Sequence, residues 1–329
     1  MRLFLTGGTG YIGRALARRL VAEGHEVRAL VRPTSNAQLL QDMGVATFVG
    51  DVRERASMRE GMSGADWVVH AAAELDLNRP GEQMSAANVA GSENVSSLAY
   101  KLGVGRFLSI SSMAAFGGSP ADGSPATEES PPYLPWPTRY SATKAAGEEA
   151  IQGWAKQGLR VNTVFPTLVY GPPGKKEGAN ALLRALLLGR FPALIEPEKK
   201  VSWVFLDDLV DGIVRVIERA PPGRGYLMAG EAWSVRELAR QVAERTGVAA
   251  PKRELSAGTA RRLFRLGGPL LRLLGKRLPV PIEQLASLER HWNFDDGRAR
   301  RELDWRPRPL AEGLALTLDF LVAREAAAG

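Results

Sequence analysis

Apolar positions in the first half of the chain fall into short runs, and longer stretches with helical spacing lie between them. Arg2–Thr6 is one such run; 11–23 then places Ile12, Leu16 and Leu20 at helical intervals and stops at Gly24. Positions 27–31 read as a second strand, 47–49 as a weaker third and 67–69 as a fourth. A helical stretch over 82–102 leads into a strand at Arg106–Ile110, a helix over 139–157 and a strand over 160–165. Strand and helix alternating in this way predict βαβ units. The expected fold is α/β, a Rossmann-type doubly wound parallel sheet with helices on both faces.

The pattern breaks twice. Between 117 and 138 stand six prolines, at 120, 125, 131, 132, 135 and 137, which predict a long irregular loop. Gly171-Pro172-Pro173-Gly174 is a second breaker, followed by shorter helices, a strand-like 201–205 and a helix over 208–219. The organisation expected is a dinucleotide-binding domain over 1–171, to which 201–230 returns. Positions 172–200 and 231–329 would then form a smaller substrate-binding part.

The 329 residues include no cysteine, which excludes disulfides, a thiolate nucleophile and Cys-ligated metal. His25, His70 and His291 are too scattered to suggest a metal site. The N-terminal apolar run is too short for a signal peptide, and no window approaches the ~18 uninterrupted apolar residues of a membrane span. The expectation is a soluble cytoplasmic protein. Lys and Arg number 43 against 36 acids, a net +7. That excess is local: 252–277 holds eight cations and one acid, Glu254, and the rest of the chain is neutral. The segment interleaves its cations with leucines. It reads either as a core-packing helix pair with a solvated basic face, or as a contact with an anionic membrane. No helix-turn-helix or aromatic-and-basic strand motif accompanies it, so nucleic acid is not expected as a partner.

Thr6-Gly7-Gly8-Thr9-Gly10-Tyr11-Ile12-Gly13 lies between the first strand and the first helix. Glycines at 7, 10 and 13 allow a tight turn and close approach of the backbone to a pyrophosphate. The N-terminus of the following helix, at Tyr11, Ile12 and Gly13, offers free N–H groups. This is a dinucleotide site in its required context. An NAD site usually ends its second strand with an acid, whereas here Arg32 follows Val31. Arg32 reads as a ligand for a 2′-phosphate, favouring NADP, or as a solvated arginine. Asp51, before Val52, is placed to accept from the adenine amino group or to cap the next helix. His70-Ala71-Ala72-Ala73 supplies the small residues needed where a cofactor lies on the sheet edge, with His70 itself read as structural.

Tyr140 and Lys144 stand at i and i+4, on one face of a helix. A phenol with ordinary pKa ~10 becomes a useful acid/base when a neighbouring ammonium stabilises its anion. Ser111-Ser112 ends the preceding strand, where α/β sheets bind ligands, and a hydroxyl there can donate to a substrate oxygen or cap its own backbone.

These segments together resemble the extended short-chain dehydrogenase/reductases of the NAD(P)-dependent epimerase/dehydratase family. The branches nearest are the dihydroflavonol-reductase-like and 3β-hydroxysteroid-dehydrogenase-like ones. The resemblance is carried by TGGTGYIG (6–13), ALVRP (29–33), GDV (50–52), HAAA (70–73), NVAGSENV (88–95), SISSMAAFG (109–117), YSATK (140–144) and FPTLVYGP (165–172). FLDDLVDGI (205–213) and FDDGRARRELDWRP (294–307) continue it, so it spans nearly the whole chain. It implies catalytic roles for Ser112, Tyr140 and Lys144. It also implies cofactor contacts at Gly7, Gly10, Tyr11, Ile12, Gly13, Arg32, Asp51, Val52, Ala71, Ala72, Asn88, Tyr140, Lys144, Pro166 and Thr167. A homodimer through the helices at 82–102 and 139–157 is implied as well.

Departures narrow the reading. Met113-Ala114 follow Ser112 where sugar-nucleotide 4,6-dehydratases carry Asp-Glu, so that dehydration lacks its groups. Phe165 stands where sugar-nucleotide members often carry Arg, which counts against a nucleotide-sugar substrate. The expected activity is hydride transfer between a nicotinamide cofactor, NADP or NAD, and a secondary alcohol or ketone of a small, apolar substrate. A nucleotide-sugar 4-epimerase with retained NAD is the enzymatic alternative, and a silent NADP sensor a further one.

Overall fold

Leu3, Phe4 and Leu5 are all fully buried, which marks a strand covered on both faces rather than one with a wet side. The structure is a computed structural model and describes residues 1–174, 177–273 and 281–327. Its strands are β1 Arg2–Thr6, β2 Glu26–Val31, β3 Ala46–Val49, β4 Trp67–His70, β5 Arg106–Ile110 and β6 Val161–Pro166. They continue with β7 Leu168–Tyr170, β8 Leu194–Ile195, β9 Lys200–Phe205, β10 Gly225–Met228, β11 Ala232–Ser234 and β12 Glu254–Leu255.

Seven strands form one sheet in the order β10-β6-β5-β4-β1-β2-β3, and every neighbouring pair is parallel. This is the Rossmann-type doubly wound sheet. The order reverses between β1 and β4, so the carboxyl ends of those strands open a crevice, the place where such sheets bind ligands. One face is covered by helices Tyr11–Ala22 and Leu206–Arg219, through Leu16, Leu20, Leu209 and Ile213. The other is covered by Gly91–Lys101 and Arg139–Lys156, through Val95, Leu98 and Ile151.

The apolar run at 201–205 does not join this sheet. β9 pairs instead with β7 and β11 in a separate three-stranded sheet. The chain re-enters the large sheet only with helix Leu206–Arg219 and β10. Around the small sheet pack helices Asn180–Leu187, Val235–Thr246 and Leu310–Ala326 over a core that includes Leu183, Leu238, Leu314 and Trp203. Helix Gly297–Leu303 and Trp305 lie back against the large sheet's core, with the Trp305 indole donating to the Asp208 carbonyl at 2.7 Å.

The stretch at 82–102 is also not one regular helix. An α-turn at Gly81–Ser85 passes through a π-helical turn at Ala86–Ala90 before Gly91–Lys101 resumes α geometry. Such turns frequently mark functional positions, and this one contains Asn88. No helix among the described residues is long and apolar enough to cross a membrane.

Candidate active site

A cleft of about 580 Å³ lies over the crevice between β1 and β4. Gly7, Gly10, Tyr11, Ile12, Gly13, Arg32, Asp51, Val52, Ala71, Ala72, Ser112, Tyr140, Pro166 and Thr167 all line it. The structure thus gathers residues from seven segments of sequence around one space. Asn88 and Lys144 lie behind the wall rather than on it.

The glycine loop has the shape of a cradle. Gly7 adopts φ +76°, and a Cβ at Gly13 would stand 2.2 Å from the Gly7 carbonyl oxygen, so no larger residue fits between loop and helix. Helix Tyr11–Ala22 begins with no side chain capping it and no acid in its first turn. Its first N–H groups and positive dipole end therefore face the cleft. The Tyr11 side chain turns the other way, and its hydroxyl donates to the Gly171 carbonyl, bracing the turn after β7. Burial raises the Tyr11 phenol well above its ordinary range. At the far rim Arg32 is exposed. Asp51 does not cap a helix: the next helical turn, Arg55–Met58, has Glu54 at its N-cap. Its carboxylate instead accepts from the Arg53 backbone N–H at 2.9 Å and guanidinium at 2.7 Å, which, with Arg32 nearby, holds it below the usual carboxylate range. Arg53 stands only two residues on, but its capture of Asp51 has no sequence signal.

The catalytic candidates depend on one helix start. Thr138 caps helix Arg139–Lys156, its hydroxyl accepting from the Ser141 N–H at 3.1 Å. This places Tyr140 in the first turn beside Ser112 and Lys144 one turn deeper. The Ser112 hydroxyl accepts from the Ala114 N–H at 3.1 Å, which leaves its own proton free to donate. Burial pushes the Tyr140 phenol up, and the hydrogen bond from Ser112 partly offsets this. The expected lowering of the phenol by Lys144 is not what the geometry gives. The ammonium points instead at the Ile110 carbonyl, 3.3 Å away, and burial brings it down to about 8 while the Glu148 carboxylate holds it up. A phenol kept protonated beside a hydroxyl donor is suited to give a proton to a carbonyl oxygen.

Behind this pair the polar groups are tightly held. Buried Asn88 (3% exposed) accepts from the Glu74 N–H at 2.7 Å and donates to the Thr143 hydroxyl at 3.1 Å. His70 bridges Thr6 at 2.8 Å and Ser92 at 3.1 Å, and burial lowers it to about 3, so it stays neutral. Thr167 spends its hydroxyl on the Met228 and Ala229 carbonyls. Ser111, on the cleft wall, differs: its buried hydroxyl has no hydrogen-bond partner among the described residues. A buried donor left unpaired costs about 1–3 kcal/mol, so a polar ligand in the cleft would satisfy it. The glycine cradle, the uncapped helix start and this hydroxyl fit a dinucleotide.

Sequence reasoning missed part of the enclosure. It placed substrate binding broadly in 172–200 and 231–329 and named no residue of the wall. The closing wall comes from the C-terminal segment, with Gln284, Ser287, Leu288 and Trp292 on the cleft. Met113, Val201 and Trp292 belong to one apolar cluster next to Ser112. Arg290 pins the proline-rich loop, donating to the Gly117, Tyr133 and Pro135 carbonyls.

Comparison with known proteins agrees with this geometry. The chain is 32% identical over 314 residues to a 4-hydroxy-2-methyl-3-oxo-4-farnesyl-3,4-dihydroquinoline-1-oxide ketoreductase from Stigmatella aurantiaca, covering 94% of this chain and 92% of that one. It is 29% identical to a 2-alkyl-3-oxoalkanoate reductase from Stenotrophomonas maltophilia, over 95% of this chain and 97% of the relative. The crystal structure of gox2253 superposes with a TM-score of 0.83 at 28% identity, covering 98% of both chains. With residues 3–229 matching its model, the chain belongs to the NAD dependent epimerase/dehydratase family and is an NAD(P)-dependent enzyme of the extended short-chain dehydrogenase/reductase type.

Proposed function

We propose that the protein reduces a ketone on a small, apolar substrate to a secondary alcohol, and catalyses the reverse oxidation, with NADP(H) as the preferred cofactor. The observation that carries this reading is the Ser112–Tyr140 pair, with a raised phenol, set beside the apolar wall of Met113, Val201 and Trp292. When bound, the cofactor supplies or accepts the hydride at its nicotinamide ring. Ser112 orients the substrate oxygen and Tyr140 gives it the proton, while Lys144, held at the Ile110 carbonyl that ends β5, braces the strand end carrying Ser112. Both relatives described above are named as reductases, one of them a ketoreductase acting on a farnesyl-bearing compound. Arg32 at the rim supports the 2′-phosphate of NADP as the adenosine-side ligand. Gly7, Gly10 and Gly13 with the helix start would hold the pyrophosphate, and Pro166 and Thr167 the nicotinamide end.

A homodimer through helices Gly91–Lys101 and Arg139–Lys156 completes the reading. Tyr100, 41% exposed, packs against Trp154 across these two helices, the rings tilted with centroids 5.3 Å apart. The test of function is turnover of apolar ketones followed by nicotinamide absorbance, with Tyr140→Phe as control. The variant should bind NADPH unchanged and lose about 10²–10⁴-fold in rate. An unchanged rate would remove Tyr140 from the mechanism. Interconversion of a UDP-sugar with its 4-epimer without net cofactor oxidation would instead establish the epimerase alternative.

A further inference from the structure

Helix Ala257–Leu273 shows which face of the basic segment is turned inward. Ala257 and Ala260 are fully buried and form its inner edge. Leu263 and Leu266, one turn apart, point out of the protein at 52% and 81% exposure. Arg262 and Arg265 are exposed beside them, and Lys252 and Arg253 are exposed just upstream. Arg261 pairs with Glu289 at 2.7 Å. The helix therefore does not spend these leucines on a core, as a packing helix with a solvated basic face would. In the sequence the series continues with Leu270 and Leu273; the cations at 276 and 277 and the side chain of Arg272 lie outside the described residues.

The charge of the whole chain is gathered here. Eight cations against one acid between 252 and 277 account for the full net +7. Exposed leucines flanked by arginines on one helix match a bilayer interface, where apolar side chains enter at the headgroup boundary and cations meet lipid phosphates. We propose that this face of helix Ala257–Leu273 docks on an anionic lipid surface, with Leu263 and Leu266 entering it and Arg262 and Arg265 holding the headgroups. The helix packs against Gln284–Leu288, whose Gln284, Ser287 and Leu288 line the cleft. Docking would thus bring the substrate side of the cleft to the membrane, so that an apolar substrate passes from lipid to enzyme. That last step rests on the substrate class proposed above; the lipid contact itself does not.

Cosedimentation of the full chain with vesicles of phosphatidylcholine, with and without phosphatidylserine, tests the contact directly. Wild type should pellet with the anionic vesicles, not with the neutral ones, and release at high salt. R262Q/R265Q should lower partitioning about 25-fold, at roughly fivefold per cation, and L263S/L266S should abolish it. Both pairs are exposed, and thermal melting by circular dichroism should show them folded as wild type. Failure of wild type to pellet with anionic vesicles, equal pelleting on both compositions, or indifference to both double substitutions would each overturn the proposal. So would a change of oligomeric state in L263S/L266S without any lipid binding by wild type, which would make the face an interface between copies. Reduction of a water-soluble ketone by the same variants should stay at the wild-type rate. Loss of that activity in wild type would strike the functional reading and leave the lipid result standing.

Discussion

Replacing Gly147 by alanine should disturb the active site from behind, and the size of the effect follows from the packing. Gly147 lies on helix Arg139–Lys156, one turn past Lys144, facing the π-helical turn that holds Asn88. A Cβ there would stand 2.3 Å from the Asn88 carbonyl oxygen and 3.1 Å from the Ser92 hydroxyl. That is about 1 Å short of ordinary van der Waals contact, and the obstacle is backbone, which cannot rotate away. The helix has to retreat from Asn88, stretching the 3.1 Å bond from Asn88 to Thr143. Overpacking of this kind costs about 1–3 kcal/mol. A displacement approaching 1 Å at Tyr140 and Lys144 should cost on the order of 100-fold in kcat/KM. Gly153 lies on the same helix, where an added Cβ would meet nothing within 4 Å, and serves as the control. There alanine should stabilise by about 0.4–1 kcal/mol through helix propensity and a less flexible unfolded chain. Urea unfolding and steady-state NADPH oxidation of both variants make the comparison. If Gly147→Ala proves as stable and as active as Gly153→Ala, the close contact between helix and π-turn does not position the catalytic residues.

Other perturbations have defined signs. Lys144, brought down to about 8, loses its proton as pH rises through that value; its charge-assisted hold on the Ile110 carbonyl, two residues before Ser112, then weakens, so kcat/KM for ketone reduction should fall above about pH 8. Glu148 holds that ammonium up, and Glu148→Gln should move the basic limb of the pH profile to lower pH; a limb that stays in place would take Glu148 out of the account. Arg32→Asp should shift preference from NADP toward NAD, measured as the ratio of kcat/KM for the two cofactors, and equal NADP affinity after the change would remove Arg32 from cofactor choice. Arg290→Leu leaves the Gly117, Tyr133 and Pro135 carbonyls without their donor and should raise KM for the ketone more than it lowers kcat. Limited proteolysis should then cut within 117–138, and a resistant loop would show that Arg290 is not its anchor.

Much of this was legible because local chemistry and global position coincide. The turn and helix start of the glycine loop were legible because the glycine spacing calls for both at once. Tyr140 and Lys144 share a face because nothing interrupts the helix between them. The π-turn at Ala86–Ala90 was illegible: one extra residue in a turn changes neither composition nor hydrophobic spacing enough to be seen. β9 was recognisable as a buried strand, but its apolar run carries no mark of which sheet it will join. Asp51 offered a carboxylate at a suitable place, and only the folded chain shows Arg53 wrapped around it. The leucines of 257–273 posed the same difficulty, since an amphipathic pattern gives two faces without saying which one meets the core.

Helix Arg139–Lys156 binds these parts into one mechanical unit. At its start the Arg139 guanidinium reaches Glu283 at 2.9 Å and the Leu77 carbonyl at 2.9 Å, joining the C-terminal cleft segment to the loop after β4. The next residue is Tyr140, at Ser112; Lys144 follows at the Ile110 carbonyl. Glu148 then takes the hydroxyls of Ser109 at 3.0 Å and Thr163 at 2.6 Å, tying the rod to β5 and β6. The first turn therefore holds both the contact to the cleft segment, at Arg139, and Tyr140, and the next two turns tie the helix to the sheet. A helix this length bends little, so the distance from the substrate wall to the acid is set by the backbone rather than by flexible side chains. Substrates that move the 281–288 segment must act on Arg139, and through one residue on Tyr140. On the roles proposed above, selection of the substrate and placement of the proton donor would be coupled through Arg139.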